Sequence, residues 1–234
     1  MNYDLISFDL DGTLVDTAGE IAEAANLTLE AHGLARRPVA EVTALIGAGT
    51  RELMRDLLAR CAQEHPPSVQ HLHIDAVMAI FDRHYTVITG SLGVPYAGCQ
   101  EALSALRIAG LRLACTTNKE LRHARHVLEV TQLASFFDLV VGGDTLPQKK
   151  PHGSVLGYVM RTLGACAGRT AHVGDSSIDV QAARSAGVHA WVVPYGYNRG
   201  QPIAACRPDR VFASLLEVSR HVVATPTAGI APAP

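Results

Sequence analysis

The sequence lacks the features that would direct a chain to a membrane, a nucleic acid or an oxidising compartment. No apolar run approaches the roughly 20 residues needed to cross a bilayer, and Asp4 and Asp9 interrupt the first apolar segment, so no signal peptide is expected. The five cysteines are scattered and none form a C-x-x-C pair, which favours neither zinc nor disulfides. The net charge is −2 and no basic stripe carries interleaved aromatics. We therefore expect a cytoplasmic protein that binds neither membranes nor nucleic acids.

The composition is that of a globular chain that needs neither disulfide bonds nor a structural metal in order to fold. Of 234 residues, 48% are hydrophobic and 18% are charged, which is ordinary for a globular domain. A chain of this length can bury most of its apolar surface. The length suits one large domain, or a core that carries a modest insertion.

Short apolar runs alternate with stretches of helical length over most of the chain. Each run is typical of a buried strand in a parallel sheet. This alternation predicts βαβ units and an α/β fold with a mostly parallel, doubly wound sheet. The predicted strands are Asp4–Phe8, Leu111–Cys115, Leu139–Val141, Ala171–Val173 and Ala190–Val193.

One segment, from about residue 17 to residue 91, interrupts the alternation. It contains no convincing strand but several helical patterns, for example Ile21, Ala24, Ala25 and Thr28. We predict an all-helical domain at 17–91 inserted into a core formed by 1–16 and 92–223. The end of the chain, 224–234, has no periodicity and is predicted to be disordered.

The pair of acidic residues after the first predicted strand is the strongest indication of chemistry. It lies in the segment Asp9-Leu10-Asp11-Gly12-Thr13-Leu14, where the carboxyl end of a parallel strand favours ligand binding. Residues two apart in an extended chain point to the same side, so both carboxylates would face one site. Their repulsion is tolerable if a hard divalent cation lies between them.

Three further polar turns follow predicted strands or their loops. Thr116-Thr117-Asn118-Lys119 precedes a helix and offers an anion site, and Lys150-Pro151 places an ammonium group at the same edge. Gly174-Asp175-Ser176-Ser177-Ile178-Asp179 opens another helix and adds carboxylates. Together the turns would supply carboxylates for a cation, donors for an anion, and a nucleophile.

In this order, the four motifs resemble those of the haloacid dehalogenase superfamily, and the resemblance covers nearly the whole chain. It implies a Rossmann-like core with a small helical cap inserted after the first motif. It also implies that Asp9 attacks phosphorus to form an aspartyl-phosphate, and that Asp11 is the general acid and base. Thr117, Asn118 and Lys150 would hold the phosphoryl oxygens.

The resemblance also implies a magnesium ion as cofactor. Its ligands would be the Asp9 carboxylate, the backbone carbonyl of Asp11 and the Asp175 carboxylate. Asp179 would lie outside the ligand set and orient either water or Lys150.

Within the superfamily, the sequence looks most like the phosphoglycolate phosphatases, which implies hydrolysis of 2-phosphoglycolate to glycolate. Asp11 favours phosphoryl chemistry over dehalogenation. Because all three lysines fall outside 17–91, Schiff-base hydrolases with a cap lysine are excluded. The segments with this likeness are Leu45–Gly49, Pro95–Gly98, Gly142–Asp144 and Tyr195–Asn198.

Three alternatives remain open. Hexose-phosphate mutases share the acid–base aspartate, although their second motif usually runs Ser-x-Lys. Another small-molecule phosphatase is also compatible, as is a non-catalytic phosphate-binding module, because a fold does not fix a function. The sequence leaves the oligomeric state open.

Two features bear on substrate choice and stability. Arg51, beside the amides of Gly47–Thr50, is our candidate for binding a substrate carboxylate. The family pattern Lys-Pro-x-Pro has Gly153 in place of the second proline, and we expect this glycine to loosen the start of the next helix.

Overall fold

A computed structural model of the chain describes residues 3–64, 66–198 and 200–224. Apart from Ala224, the predicted disordered tail lies outside the described residues. Within the described residues, none of the helices is both long and apolar enough to cross a membrane.

The described strands form a six-stranded sheet and a separate two-stranded ribbon. The order of the large sheet is β5-β4-β1-β6-β7-β8, and every neighbouring pair in it is parallel. Strands β2 and β3 pair antiparallel with each other. The strands are β1 Leu5–Phe8, β2 Val15–Asp16, β3 Val94–Pro95, β4 Arg112–Thr116, β5 Leu139–Val141, β6 Thr170–Gly174, β7 His189–Val192 and β8 Arg210–Val211.

The described α-helices fall into two groups along the chain. Four lie between β2 and β3, and the others connect or follow the strands of the large sheet. The helices are α1 Ala18–Ala31, α2 Val39–Thr43, α3 Thr50–Glu64, α4 Ile74–Ile88, α5 Cys99–Ile108, α6 Leu121–Val130, α7 Ser154–Leu163, α8 Ser177–Ala186 and α9 Leu215–Val223.

Helices cover both faces of the sheet, as the predicted α/β class requires. Ile6 of β1 packs in one buried cluster with Leu103 of α5 and Val218 of α9. The preceding residue, Leu5, packs on the opposite face with Val155 of α7. Successive side chains of a strand point to opposite faces, so β1 is buried on both sides. Burial on both sides is the reason its sequence is an apolar run. The predicted doubly wound sheet is confirmed.

Helices α1 to α4 share an apolar cluster of their own. Ile21 and Leu29 of α1 pack there with Leu53 of α3 and Phe81 of α4. The helical periodicity of the segment therefore arises from burial within the segment. The domain boundaries at 16/17 and 91/92 stay a prediction.

The ribbon of β2 and β3 was not predicted from the sequence. Val15 pairs with Pro95 and Asp16 pairs with Val94, so the two connections to the helical segment run side by side. Each strand has two residues, which is too short to show a period. For the same reason β8 was not recognised. Helix α9, which Ser214 caps by accepting from the Glu217 amide, was also left unassigned.

Gly153 has a role different from the one we expected. Helix α7 begins directly after it, and a β-carbon at this position would lie 2.5 Å from the Ser185 carbonyl carbon of α8. The φ angle is an ordinary −66°. The glycine therefore provides space for the backbone of α8.

We predict that Gly153→Ala destabilises the protein by about 1–3 kcal/mol, because the methyl group would overlap backbone atoms. The free energy of unfolding in urea measures the effect. Gly168→Ala is the matched control, since a β-carbon there meets no heavy atom within 4 Å. Equal effects of the two substitutions would contradict this account of Gly153.

Candidate active site

The predicted catalytic residues meet at the carboxyl ends of three neighbouring strands. Asp9 follows β1, Thr117 follows β4, and Asp175 follows β6. Strand β1 lies between the other two and pairs in parallel with both, so these three ends share one edge of the sheet. Asp9, Thr117 and Asp175 are all buried.

Lys150 links two of the carboxylates. Its Nζ lies 2.9 Å from Asp9 Oδ1 and 2.7 Å from Asp179 Oδ1, and its side chain is 1% exposed. Burial alone would lower the pKa of this ammonium, but Asp179 and Asp9 raise it above its ordinary value. Lys150 therefore stays charged beside the predicted nucleophile.

Asp179 has hydrogen-bond donors at both oxygens. Oδ2 accepts from the amide and hydroxyl of Ser176 at 3.1 and 2.6 Å, in a capping box that opens α8. Oδ1 faces Lys150 and lies 3.1 Å from His172 Nε2. Burial would raise the pKa of Asp179, but Lys150 and His172 hold it well below its ordinary value. An ionised Asp179 in this place fixes the position of Lys150.

Three buried carboxylates crowd together at this point. Ligand atoms of Asp9, Asp175 and Asp179 all lie within 4.8 Å of one another. Burial raises the pKa of Asp9 to about 6, against the opposing effect of Lys150. Burial and the charges of Asp179 and Asp9 raise the pKa of Asp175. Hard oxygen ligands with unrelieved negative charge fit a divalent cation.

The Asp175 side chain is held by the loop after β7 and by the first motif. Oδ1 accepts from the Thr13 hydroxyl at 3.2 Å, and Oδ2 accepts from the Tyr197 amide. A β-carbon on Gly196 would lie 2.3 Å from the Asp175 β-carbon, so only glycine allows this approach. The Tyr197 hydroxyl accepts from the Thr17 amide at 2.8 Å, which ties the loop to the start of α1.

Asp11 has a cationic partner that sequence reasoning missed. Its Oδ1 accepts from the Thr17 hydroxyl at 2.6 Å and lies 2.7 Å from Lys119 Nζ. Burial would lower the pKa of Lys119, but Asp11, Tyr85 and Glu20 raise it, so the ammonium stays charged. Lys119 could have been identified as a site residue from its position next to Thr117-Asn118, in a chain with only three lysines.

His172 is the second residue that sequence reasoning missed. It lies in β6, fully buried, with Nδ1 3.1 Å from Ser7 Oγ. Burial lowers its pKa. His172 could have been identified because it is a histidine within an otherwise apolar strand, and a buried polar side chain needs a hydrogen-bond partner.

A small cavity lies between these strand ends and helices α1 and α3. Its volume is about 30 Å³, enough for only one or two waters. Asn118 closes one side, because its Nδ2 donates to the carbonyls of Gly47 and Lys150 at 3.0 and 2.9 Å. The residues that line the cavity are Asp9, Asp11, Ile21, Ile46, Gly47, Gly49, Thr50, Leu53, Thr117, Asn118 and Lys119.

Arg51 is not among the described residues that line the cavity. Its guanidinium forms an ion pair with Asp75 of α4, and its side chain is 40% exposed. The sequence-based role for Arg51 in carboxylate binding stays a prediction.

Comparisons with known proteins identify the family and the fold. The model of the haloacid dehalogenase-like hydrolase family matches residues 6–193. A phosphoglycolate phosphatase from Nitrosospira multiformis is 37% identical over 93% of this chain and 94% of its own length. One from Pseudomonas syringae pv. syringae is 40% identical over 90% of this chain and 76% of its own. A crystal structure of a predicted phosphoglycolate phosphatase from Haemophilus somnus superimposes with a TM-score of 0.87 at 30% identity, covering 94% of this chain and 98% of that one.

The chain belongs to the haloacid dehalogenase-like hydrolase family. The resemblance drawn from the four motifs is confirmed, and so is the expectation of a phosphatase. The acidic cluster is compatible with the divalent metal that the family implies.

We predict that a divalent cation stabilises the folded protein more at pH 7.5 than at pH 5. Without a cation, the raised pKa of Asp9 contributes stability that is complete below its unfolded value of 3.8 and is lost as the pH rises through about 6. Above that pH the free carboxylate is available as a ligand, and below it protons compete with the cation. The shift in melting temperature on adding magnesium, measured at both pH values, tests this.

Asp9→Asn is the control, because it removes the titrating ligand and should reduce the shift at both pH values. A magnesium-induced shift of equal size at pH 5 and pH 7.5 in the unmodified protein would contradict the assignment.

Proposed function

We propose that the protein hydrolyses 2-phosphoglycolate to glycolate and phosphate through an aspartyl-phosphate on Asp9. The observation that carries the proposal is the Lys150 ammonium, held between Asp9 and Asp179 beside a cluster of buried carboxylates. The substrate is suggested by the relatives of 37% and 40% identity, which are named phosphoglycolate phosphatases.

In the first step, a carboxylate oxygen of Asp9 attacks phosphorus and the bond to the glycolate oxygen breaks. Lys150 lies 2.9 Å from Asp9 Oδ1, so it can stabilise the negative charge of the phosphoryl oxygens. Thr117 and Asn118 line the same cavity and would hold the other oxygens. Donors fixed in a dry site stabilise a transition state without reorganisation.

Asp11 would supply the proton that the departing glycolate oxygen requires. In the second step it takes a proton from water, whose oxygen attacks phosphorus and releases Asp9 and inorganic phosphate. Its carboxylate, held by Thr17 and Lys119, lines the cavity with Asp9. That position suits a group that acts on the leaving oxygen.

The metal would be Mg²⁺, bound by the carboxylates of Asp9 and Asp175 and by the backbone carbonyl of Asp11. When bound, it would neutralise the crowded carboxylates and polarise the phosphoryl group. Asp179 would stay outside the ligand set, since Lys150, His172 and Ser176 occupy both of its oxygens.

The segment 17–91 would act as a cap that excludes bulk water during the reaction. Two contacts support this role: the Asn118 amide donates to the Gly47 carbonyl, and Lys149 Nζ donates to the Ala48 carbonyl at 2.7 Å. A cytoplasmic location belongs to the same proposal and is supported by the five free cysteines.

We expect 2-phosphoglycolate to have the highest kcat/KM in a panel that includes 3-phosphoglycerate, glucose phosphates and nucleotides, assayed with magnesium. The expectation rests on the relatives named phosphoglycolate phosphatases. Phosphate release measures it. Preference for a sugar phosphate would reject the substrate, and transfer of the phosphoryl group to a second sugar phosphate instead of water would favour a mutase.

Asp9→Asn should lower kcat by at least about a thousandfold, because the amide cannot act as the nucleophile. Asp4→Asn is the matched control: Asp4 precedes the opposite end of β1 and pairs with Arg169 at 2.6 Å. Circular dichroism checks that both variants fold. Substantial turnover in Asp9→Asn would contradict the covalent mechanism, and retained phosphate binding without turnover in the unmodified protein would favour a binding module.

A further inference from the structure

The cavity contains a cation that the proposed chemistry does not assign to the phosphoryl oxygens. Among the described residues that line it, Lys119 carries the only cationic side chain. The Lys119 side chain is 1% exposed, so its charge acts on the interior of the protein. The groups proposed to hold the phosphoryl oxygens are Lys150, Thr117 and Asn118, so Lys119 enters that chemistry only by holding Asp11.

Lys119 lies between the first motif and the helical segment. Its Nζ is 2.7 Å from Asp11 Oδ1 and 5.0 Å from the centre of the Tyr85 ring on α4. A lysine ammonium has three N–H donors, and among the described residues it has one ion-pair partner, Asp11. Donor capacity is therefore left for a ligand in the cavity.

The chemistry of 2-phosphoglycolate requires a cation at this place. Asp11 is the proposed acid for the bridging oxygen, and the carboxylate of the substrate is attached to the carbon that carries that oxygen. A substrate that presents its bridging oxygen to Asp11 thus brings a second carboxylate close to Asp11. Moving this carboxylate from water into a dry site is costly unless a cation lies beside it.

Among the described residues, the other walls of the cavity carry no positively charged side chain. The cavity is also lined by the apolar side chains of Ile21 in α1, Leu53 in α3, and Ile46, which precedes α3. Arg51, the cation expected from the sequence, is paired with Asp75 at the surface. Tyr85 adds a further polar group beside Lys119, whose Nζ lies 5.0 Å from the centre of its ring.

We propose that Lys119 binds the carboxylate of the substrate and so selects phosphate esters that carry a carboxylate next to the ester carbon. The inference rests on the proposed function. It assigns Lys119 two partners in the substrate complex, Asp11 and the substrate carboxylate.

The test compares two substrates that differ only in this group. Ethyl phosphate has a methyl group in place of the carboxylate of 2-phosphoglycolate. The ratio of kcat/KM for the two esters isolates recognition of the carboxylate, because damage to Asp11 lowers both values alike. We expect Lys119→Met to lower the ratio by about 10- to 100-fold, as for loss of a hydrogen bond to a charged group.

Arg55→Met is the matched control, in which the same change removes a surface cation of α3 that pairs with Glu52 at 2.7 Å, and it should leave the ratio unchanged. If Lys119→Met lowers both kcat/KM values equally, Lys119 acts only through Asp11, and the inference falls while the proposed function stands. If Arg51→Met lowers the ratio instead, the inference also falls. If the unmodified protein shows no preference for 2-phosphoglycolate, the proposed substrate and the inference fall together.

A second pair of variants covers the case in which Lys119→Met does not fold because Asp11 is left without its cationic partner. Asp11→Asn with Lys119→Met removes both charges and is compared with Asp11→Asn alone. Calorimetry with magnesium should show tighter binding of 2-phosphoglycolate than of ethyl phosphate to Asp11→Asn, and a loss of most of this difference in the double variant. An undiminished difference in the double variant would overturn the inference.

Discussion

The repulsion between carboxylates gathered at one edge of the sheet is the constraint on which the rest of the site depends. Asp9, Asp175 and Asp179 lie within ligand distance of one another and are all buried. Burial and mutual repulsion favour protonation, yet a nucleophile must be ionised. Lys150 offsets part of this charge, and the cation that the family implies would offset more. The fold therefore holds these groups in place at the cost of unfavourable electrostatics.

The parallel sheet makes this crowding tolerable because it fixes the backbone of each acidic residue. Strand β1 has a neighbour on both sides, so Asp9 cannot move away without breaking hydrogen bonds of the sheet. The side chains are then fixed by donors, such as Ser176 for Asp179 and the Tyr197 amide for Asp175. Catalytic precision follows from these supporting contacts as much as from the acidic residues themselves.

Much of the fold and the core of the site could be predicted because both follow local patterns. The apolar runs of β1 and β6 are long enough to identify, and Asp9, Asp175 and Lys150 lie within motifs of fixed spacing. β2, β3 and β8 could not be predicted, because two residues show no period and their pairing is set by distant segments. The partner of Asp11 was missed for a related reason: Lys119 is 108 positions away, and only the sheet brings the two together.

Gly153 and Arg51 show the limits of arguing from a motif alone. The family motif has a proline where this chain has Gly153. The glycine is explained by the backbone of Ser185, which lies too close to leave room for a β-carbon. Position beside a glycine-rich turn suggested Arg51 as a carboxylate ligand, which stays a prediction, and nothing in the sequence indicated its ion pair with Asp75 on another helix. In both cases the residue that makes the contact belongs to a different segment of the sequence.

The ribbon of β2 and β3 has a consequence for how such a protein can change during evolution. Because Val15 pairs with Pro95, the helical segment leaves and re-enters the sheet-containing part at neighbouring points, separated by about the 5 Å between paired strands. Its length and sequence can then vary without stretching the strands that hold the acidic residues. Selection can thus change the helical segment while the sheet edge that carries the acidic residues is preserved.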